Sequence, residues 1–274
     1  MSDAALEVRD LQHTFHRRTP SEVRALQGVD LVLEPGAFLV VLGTNGSGKS
    51  TLLNAIAGSV LVDQGSIQVA GQEVTRWPEH RRAAMIARVF QNPFTGTASD
   101  LTVAENLALA ARRGRQGGLR HALGGGQRRE LAAQVHRLGL GLEDRLETPM
   151  GLLSGGQRQA LTLLMATLVR PSLLLLDEHT AALDPRSAEQ VLRLTQEVVG
   201  REGLTTLMVT HSMHEAVRVG HRVVMMHRGR VIQDFSGVRK RRLRVEELLT
   251  CFDQVRSSDL LDEAAAAMLR RAYV

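Results

Sequence analysis

"FLVVLGTNGSGKSTLLNAIAG", Phe38 to Gly58, decides the fold. Five apolar, β-prone residues run straight into a glycine turn. Beyond it the apolar positions return at helical spacing until Gly58 closes the run. Gly43, Gly48, Lys49 and Ser50 fill the pattern G-x-x-x-x-G-K-[ST]. Glycines let successive backbone N–H groups aim at phosphate oxygens, and the helix that starts near Ser50 adds the positive end of its dipole. Strand, glycine turn and helix in this order predict a loop that holds nucleotide phosphates, with the Ser50 hydroxyl available to Mg²⁺.

The choice of cation in that turn is informative. The chain carries 34 Lys plus Arg, yet lysine stands only at positions 49 and 240. Arginine is a broad planar fork, whereas lysine is a compact charge on a flexible stem that fits inside a backbone cradle. A chain that uses arginine almost everywhere has lysine where shape matters.

Composition bounds the rest. At 274 residues there is room for one large domain or two small ones. Aromatics make up only 3%, so the core is expected to be Leu, Val, Ala and Met. The net charge of +5 suits nucleic acid, an anionic membrane surface or acidic small molecules such as nucleotides. The single Cys251 excludes an internal disulfide or a cysteine-cluster metal site and fits a reducing compartment. "MSDAALEVRD" is polar and acidic where a signal peptide would be basic and then apolar. The longest apolar helical candidate, "ALTLLMATLV" (Ala160–Val169), falls short of the roughly 20 residues of a membrane span, so none is expected.

Along the chain, "LEVRDLQHTF", "VDLVLEPGAFLVVLG" and "GSIQVAGQEV" read as strands and turns. From Leu101 the texture turns helical in "LTVAENLALAARR" and "RRELAAQVHRLGL". Between them "RGRQGGLRHALGGGQ" reads as a mobile surface loop, because each glycine costs a helix about 1 kcal/mol against alanine. After Ser154, apolar strands alternate with helices again, which predicts a mostly parallel sheet covered on both faces.

Two further motifs carry chemistry. "LLLLDEH" is a buried strand ending in Asp177 and Glu178, two carboxylates where ligands of α/β sheets bind. Asp177 can hold the Mg²⁺ shell, and Glu178 can polarise an attacking water. "LSGGQ", Leu153–Gln157, opens a helix with Ser154, Gly155 and Gly156, which reads as a second anion site. An N-cap accounts for the serine but not for two glycines in a first turn. "RKRRLR" (Arg239–Arg244) reads either as a solvated strip or as a surface for anionic headgroups.

Together these stretches resemble the ATP-binding subunit of an ABC transporter over nearly the whole chain. "GTNGSGKST" is similar to the Walker A motif, "LSGGQ" to the signature, and "LLLLDE" to Walker B. Gln91 in "VFQNP" matches the Q-loop, "ALDP" (Ala182–Pro185) the D-loop, and His211 in "VTHSMHEA" the switch histidine. The resemblance implies an α/β P-loop NTPase (RecA-like) core, residues 1–91 and 154–236, with an N-terminal antiparallel β subdomain. An α-helical subdomain, 92–153, would be inserted in it, and a basic, helical tail, 237–274, would follow.

The resemblance also implies roles. Gly43, Thr44, Asn45, Gly46, Ser47, Gly48, Lys49, Ser50 and Thr51 would bind ATP phosphates, with Ser154, Gly155, Gly156 and Gln157 reaching them from a second copy. Ser50, Gln91 and Asp177 would serve Mg²⁺. Glu178, His211 and Gln91 would carry hydrolysis, Asp184 would act across the dimer, and Phe15 would stack on adenine. The expected partners are a second copy, a membrane permease and, indirectly, a solute-binding protein, at the cytoplasmic face of the membrane; no nucleic acid is expected. By family analogy a separate ATPase chain without membrane segments implies import of a small solute, and an amino acid is suggested because "DEHTAALDP" and "TLMVTHSMHEA" are similar to ATPases encoded with a permease and a binding lipoprotein, some linked to aromatic amino acid uptake. His179 departs from the proline common after the Walker B glutamate. The rival reading is an ABC-type ATPase of cluster assembly or repair.

Overall fold

In the computed structural model, which describes residues 4–114 and 125–255, β1 (Leu6–Phe15) and β2 (Val23–Leu33) precede β3 (Phe38–Gly43), which runs into α1 (Lys49–Ala57). β4 (Gln64–Val69), β5 (Gln72–Glu73), the one-turn α2 (Glu79–Arg82) and β6 (Ile86–Val89) follow. Next come α3 (Val103–Ala110), α4 (Gly125–His136), two 3₁₀ turns and α5 (Gly155–Thr167). The last stretch holds β7 (Leu173–Asp177), α6 (Pro185–Glu202), β8 (Thr206–Thr210), α7 (Met213–Arg218), β9 (Arg222–His227), β10 (Arg230–Ser236) and α8 (Gly237–Arg242).

The strands sort into two sheets. One is antiparallel, in the order β2-β1-β4-β5; the other runs β10-β9-β3-β8-β7-β6 and is parallel except for β10 at its edge. Alternate side chains explain how the second sheet holds its layers. Leu39, Val41, Leu173, Leu175, Leu207 and Val209 face α1 and the antiparallel sheet, while Val40, Leu42, Leu174, Leu176 and Met208 face α5, α6 and α7. Leu173 to Leu176 are wholly buried, each contributing roughly 2 kcal/mol by removal from water. As the composition foretold, Leu, Val, Ala and Met make up most of this core.

Parallel strands put their carboxyl ends along one edge. Register aligns Leu42 with Thr210 and Asp177 with Val209, and pairs Val89 with Leu176. The turns after β3, β6, β7 and β8 therefore converge, as the switch points of open α/β sheets do. Arg82 fixes α1 behind that edge: its buried guanidinium donates to the carbonyls of Ala55 and Ile56 at 2.7 and 2.8 Å, closing the helix's carbonyl end.

Between β6 and β7, the described residues contribute helices and 3₁₀ turns but no strand to either sheet. The stretch read from sequence as a mobile loop differs in part. Arg113 is anchored, donating to the carbonyls of Ala166 and Val169, and Gly125–Gln127 already belong to α4. Residues 115–124 lie outside the described residues. The basic run is not uniformly solvated either. Lys240 is buried and donates to Val217 O at 2.7 Å, while Leu243 packs into the core. Of the tail, residues 245–255 are helical and 256–274 lie outside the described residues. Among the described residues, no helix is long and apolar enough to cross a membrane.

Candidate functional site

The phosphate loop is built by close approach. Gly48 has φ of 100°, and a Cβ there would sit 2.5 Å from Ala25 O. At Gly43 a Cβ would meet Ser47 Oγ at 2.5 Å and Met226 O at 2.6 Å. Only glycine fits either position. Thr44, Asn45 and Gly46 are exposed, Ser47 is buried with its Oγ unpartnered, Ser50 is exposed and Thr51 half-buried. Lys49, only 4% exposed, begins α1, and its Nζ donates to Gly43 O at 2.8 Å and Thr44 O at 2.9 Å. Burial pushes its pKa below the usual lysine value, while Glu178 and then Asp177 oppose the shift. The cation and both carboxylates thus share one field.

Asp177 and Glu178 are held differently. Arg88 Nη2 donates to Asp177 Oδ2 at 2.6 Å from the neighbouring strand β6, with both side chains largely buried. Glu178 turns the chain out of the sheet with φ of 43°, a left-handed conformation that costs a non-glycine residue about 1–3 kcal/mol and collects at functional sites. Its N–H donates to Val209 O at 3.0 Å, and its Oε2 lies 3.2 Å from His211 Nδ1. Glu178 and His211, expected from the resemblance to act in the same reaction, are thus in direct contact. Gln91 is exposed, two residues past β6, at the level where β7 delivers Glu178.

Ser154 caps α5 in a reciprocal box. Its Oγ accepts from Gln157 N at 3.2 Å, and Gln157 Oε1 accepts from Ser154 N at 3.2 Å. The two glycines have an explanation within the chain that sequence reasoning did not find. A Cβ on Gly156 would sit 2.8 Å from Ser187 Cβ of α6, and one on Gly155 would sit 3.3 Å from Leu183 Cδ2. Asp184 is exposed and caps α6, accepting from the N–H groups of Arg186 and Ser187 at 3.1 Å each. The Ser187 side chain and backbone hold its carboxyl below the ordinary range.

Phe15 ends β1 half-buried, edge-on to His13 at 4.5 Å. His179 is fully buried, with Nε2 2.9 Å from Thr195 Oγ1, and burial lowers its pKa to about 4. It is a neutral core residue under α6. Sequence reasoning also passed over Arg88, whose charge interrupts an otherwise apolar strand, and over Glu215, Thr180 and Thr210.

The residues present fit a nucleotide and its metal. The buried, unpartnered Ser47 Oγ and the two glycine-only positions line a cradle lying against Lys49. Ser50 and Asp177 offer the oxygen donors that Mg²⁺ prefers. Among the described residues no three His, Cys, Asp or Glu gather into a cage, which suits an ion bound largely through phosphates and water.

A parallel sheet with a phosphate cradle and two carboxylates at its carboxyl edge defines a P-loop nucleoside-triphosphatase. Comparison with known proteins narrows the class: residues 26–181 match the family model described as ABC transporter. The tyrosine transport ATP-binding protein of Clostridioides difficile (strain R20291) is 38% identical over 248 residues, covering 90% of this chain and 98% of that protein. The lipoprotein-releasing system ATP-binding protein LolD 1 of Caulobacter vibrioides (strain ATCC 19089 / CIP 103742 / CB 15) is 38% identical over 226 residues, covering 80% and 92%. Among solved structures, the dimeric post-hydrolysis state of the ATP-binding cassette MJ0796 bound to ADP and Pi has a TM-score of 0.72 and 25% identity, covering 84% of this chain and 98% of that one. The chain belongs to the ABC transporter family and carries its ATP-binding domain, which hydrolyses ATP to power transport.

Proposed function

We propose that this chain is the ATP-hydrolysing subunit of an amino acid importer, working as a twofold pair on a membrane permease at the cytoplasmic face. The observation that carries the substrate is the likeness to a tyrosine transport ATP-binding protein over 90% of this chain and 98% of that one. In this reading residues 92–153 form the helical subdomain that passes motion to the permease, and a solute-binding protein delivers the substrate.

Lys49 and the amides of the glycine turn bind the ATP phosphates and orient them towards Glu178. Ser50, Gln91 and Asp177 would hold Mg²⁺, which would supply charge that neutralises the phosphate oxygens. Glu178 accepts a proton from the water whose oxygen bonds to the γ-phosphorus. The bond to the bridging oxygen breaks, ADP leaves with that electron pair, and inorganic phosphate results. His211, 3.2 Å from Glu178, steadies the carboxylate and contacts the γ-phosphate. Phe15 stacks on adenine. Ser154 and Asp184 act in the site of the second copy, because one chain carries each motif once and a closed twofold pair completes two sites.

Reconstitution tests the reading. The chain is assembled with its permease in vesicles, binding protein outside and ATP within, and tyrosine uptake is followed. ATP-dependent uptake that unlabelled phenylalanine competes for and glutamate does not is the expected result. ATP hydrolysis that is indifferent to the permease would overturn it.

A further inference from the structure

One carboxylate ties together the segments that carry Glu178 and His211. Glu215 lies in the first turn of α7. Its Oε1 accepts the Thr180 hydroxyl at 2.6 Å, and its Oε2 accepts the Thr210 hydroxyl at 2.6 Å. Both threonines are buried, at 4% and 2% exposure, and Glu215 is half-buried, so the donor ends of the bonds are shielded from water. Thr180 stands two residues past Glu178, and Thr210 stands immediately before His211. Because Glu178 and His211 lie 3.2 Å apart, the links close a ring through Glu178, Thr180, Glu215, Thr210 and His211.

The ring is anchored on both sides. Thr210 Oγ1 accepts from Ser212 N at 3.0 Å, and Ser212 Oγ accepts from Glu215 N at 3.3 Å, which fixes the start of α7. At its far end Arg218 grips both oxygens of Glu189 on α6 at 2.7 Å each. The left-handed backbone at Glu178 gives the ring its purpose. Glu178 leaves the sheet in a left-handed conformation that it would not hold by local preference, so contacts beyond that residue must support it. A carboxylate with both oxygens in short, charge-assisted bonds does this more firmly than neutral hydrogen bonds would.

We infer that Glu215 is a positioning residue: by holding Thr180 and Thr210 on its two oxygens it sets the distance between Glu178 and His211. The inference rests on the roles proposed above for that pair. The hydrogen bonds of Glu215 go to Thr180, Thr210 and Ser212 and none to the phosphate loop, so its loss slows the chemical step and spares nucleotide affinity.

Single-turnover hydrolysis and nucleotide titration of the full chain test this with Glu215→Ala, His211→Ala and the double variant. Glu215→Ala is expected to slow turnover about tenfold, as misplacement of a reacting pair does, with ATP affinity within about twofold of the parent. On the His211→Ala background it should add less than about twofold, because both changes break the same pair. If Glu215→Ala folds poorly, Thr180→Val, which cuts one arm of the ring, carries the same cycle. Losses that multiply in the double variant would overturn the inference and leave His211 in its role. A parental rate for His211→Ala would overturn the role of His211 and the inference with it.

Discussion

The phosphate loop and the signature turn use the same parts, glycines, a hydroxyl and the start of a helix, and end in opposite states. In Gly43–Thr51 the glycines press against backbone from β2 and β9, and Lys49 is buried facing Glu178 and Asp177 of the same chain. The carboxylates that act on Lys49 come from the loop's own sheet edge. In Ser154–Gln157 the serine and glutamine cap each other at the surface, and the glycines serve the approach of α6. That turn completes a helix and presents an exposed N-terminus, with neither Asp177 nor Glu178 hydrogen-bonded to it. The first is organised to hold a ligand by itself. In the proposed pair the second contributes to the site of the other copy.

The comparison can be broken most severely at Glu178. Glu178→Gln keeps the shape and removes the base, so hydrolysis should fall by a factor of about 100 or more while ATP binding stays. Measured turnover within threefold of the parent would place the base elsewhere.

Placing arginine in each turn sharpens the contrast. Lys49→Arg keeps the charge, but the guanidinium cannot occupy the space between Gly43 O and Thr44 O, so ATP affinity of the isolated chain should weaken about tenfold or more. Ser154→Arg should leave that affinity within about twofold and still stop turnover. Mixing Ser154→Arg chains with Lys49→Ala chains should restore one competent site, read as trapped nucleotide alongside turnover. Hydrolysis by Lys49→Ala as a strict monomer would refute the division of labour.

The smallest effect belongs to the joint between the regions, residues 178–184, where His179 is buried beneath α6. With a folded pKa of about 4 against an ordinary 6.5, the folded chain stays neutral at this site while the unfolded chain takes up a proton. Stability from this group is therefore complete above about pH 6.5 and falls as the pH drops towards 4, by about 2 kcal/mol between pH 7 and pH 5. Urea midpoints at the two pH values should show that loss in the parent and much less of it in His179→Leu. An equal loss in both would assign the titration to another group.

What could be read from the sequence was what is local. Phe38–Gly58 contains its strand, turn and helix within 21 consecutive residues, so the loop was legible without the rest of the molecule. The strand order β9-β3-β8-β7-β6 scrambles chain order, and nothing local dictates it. For that reason Arg88 on Asp177, 89 residues away, and Thr180 on Glu215, 35 away, stayed hidden although each stood inside or beside a quoted motif. The packing part played by Gly155 and Gly156 stayed hidden for the same reason, because Leu183 and Ser187 come about thirty residues later. Lys240 looked like one charge in a basic strip until the fold put Val217 O against it.

Those two lysines have a consequence for handling the molecule. Both side-chain amines are buried against backbone carbonyls, Lys49 in the loop and Lys240 reaching from α8 to α7, and the sequence holds no third. Amine-directed dyes, cross-linkers and acylating agents therefore find no lysine on the folded surface. Labelling at residue 49 reports opening of the nucleotide cradle, and labelling at residue 240 reports detachment of α8, so a single reagent and a peptide map resolve the two motions independently.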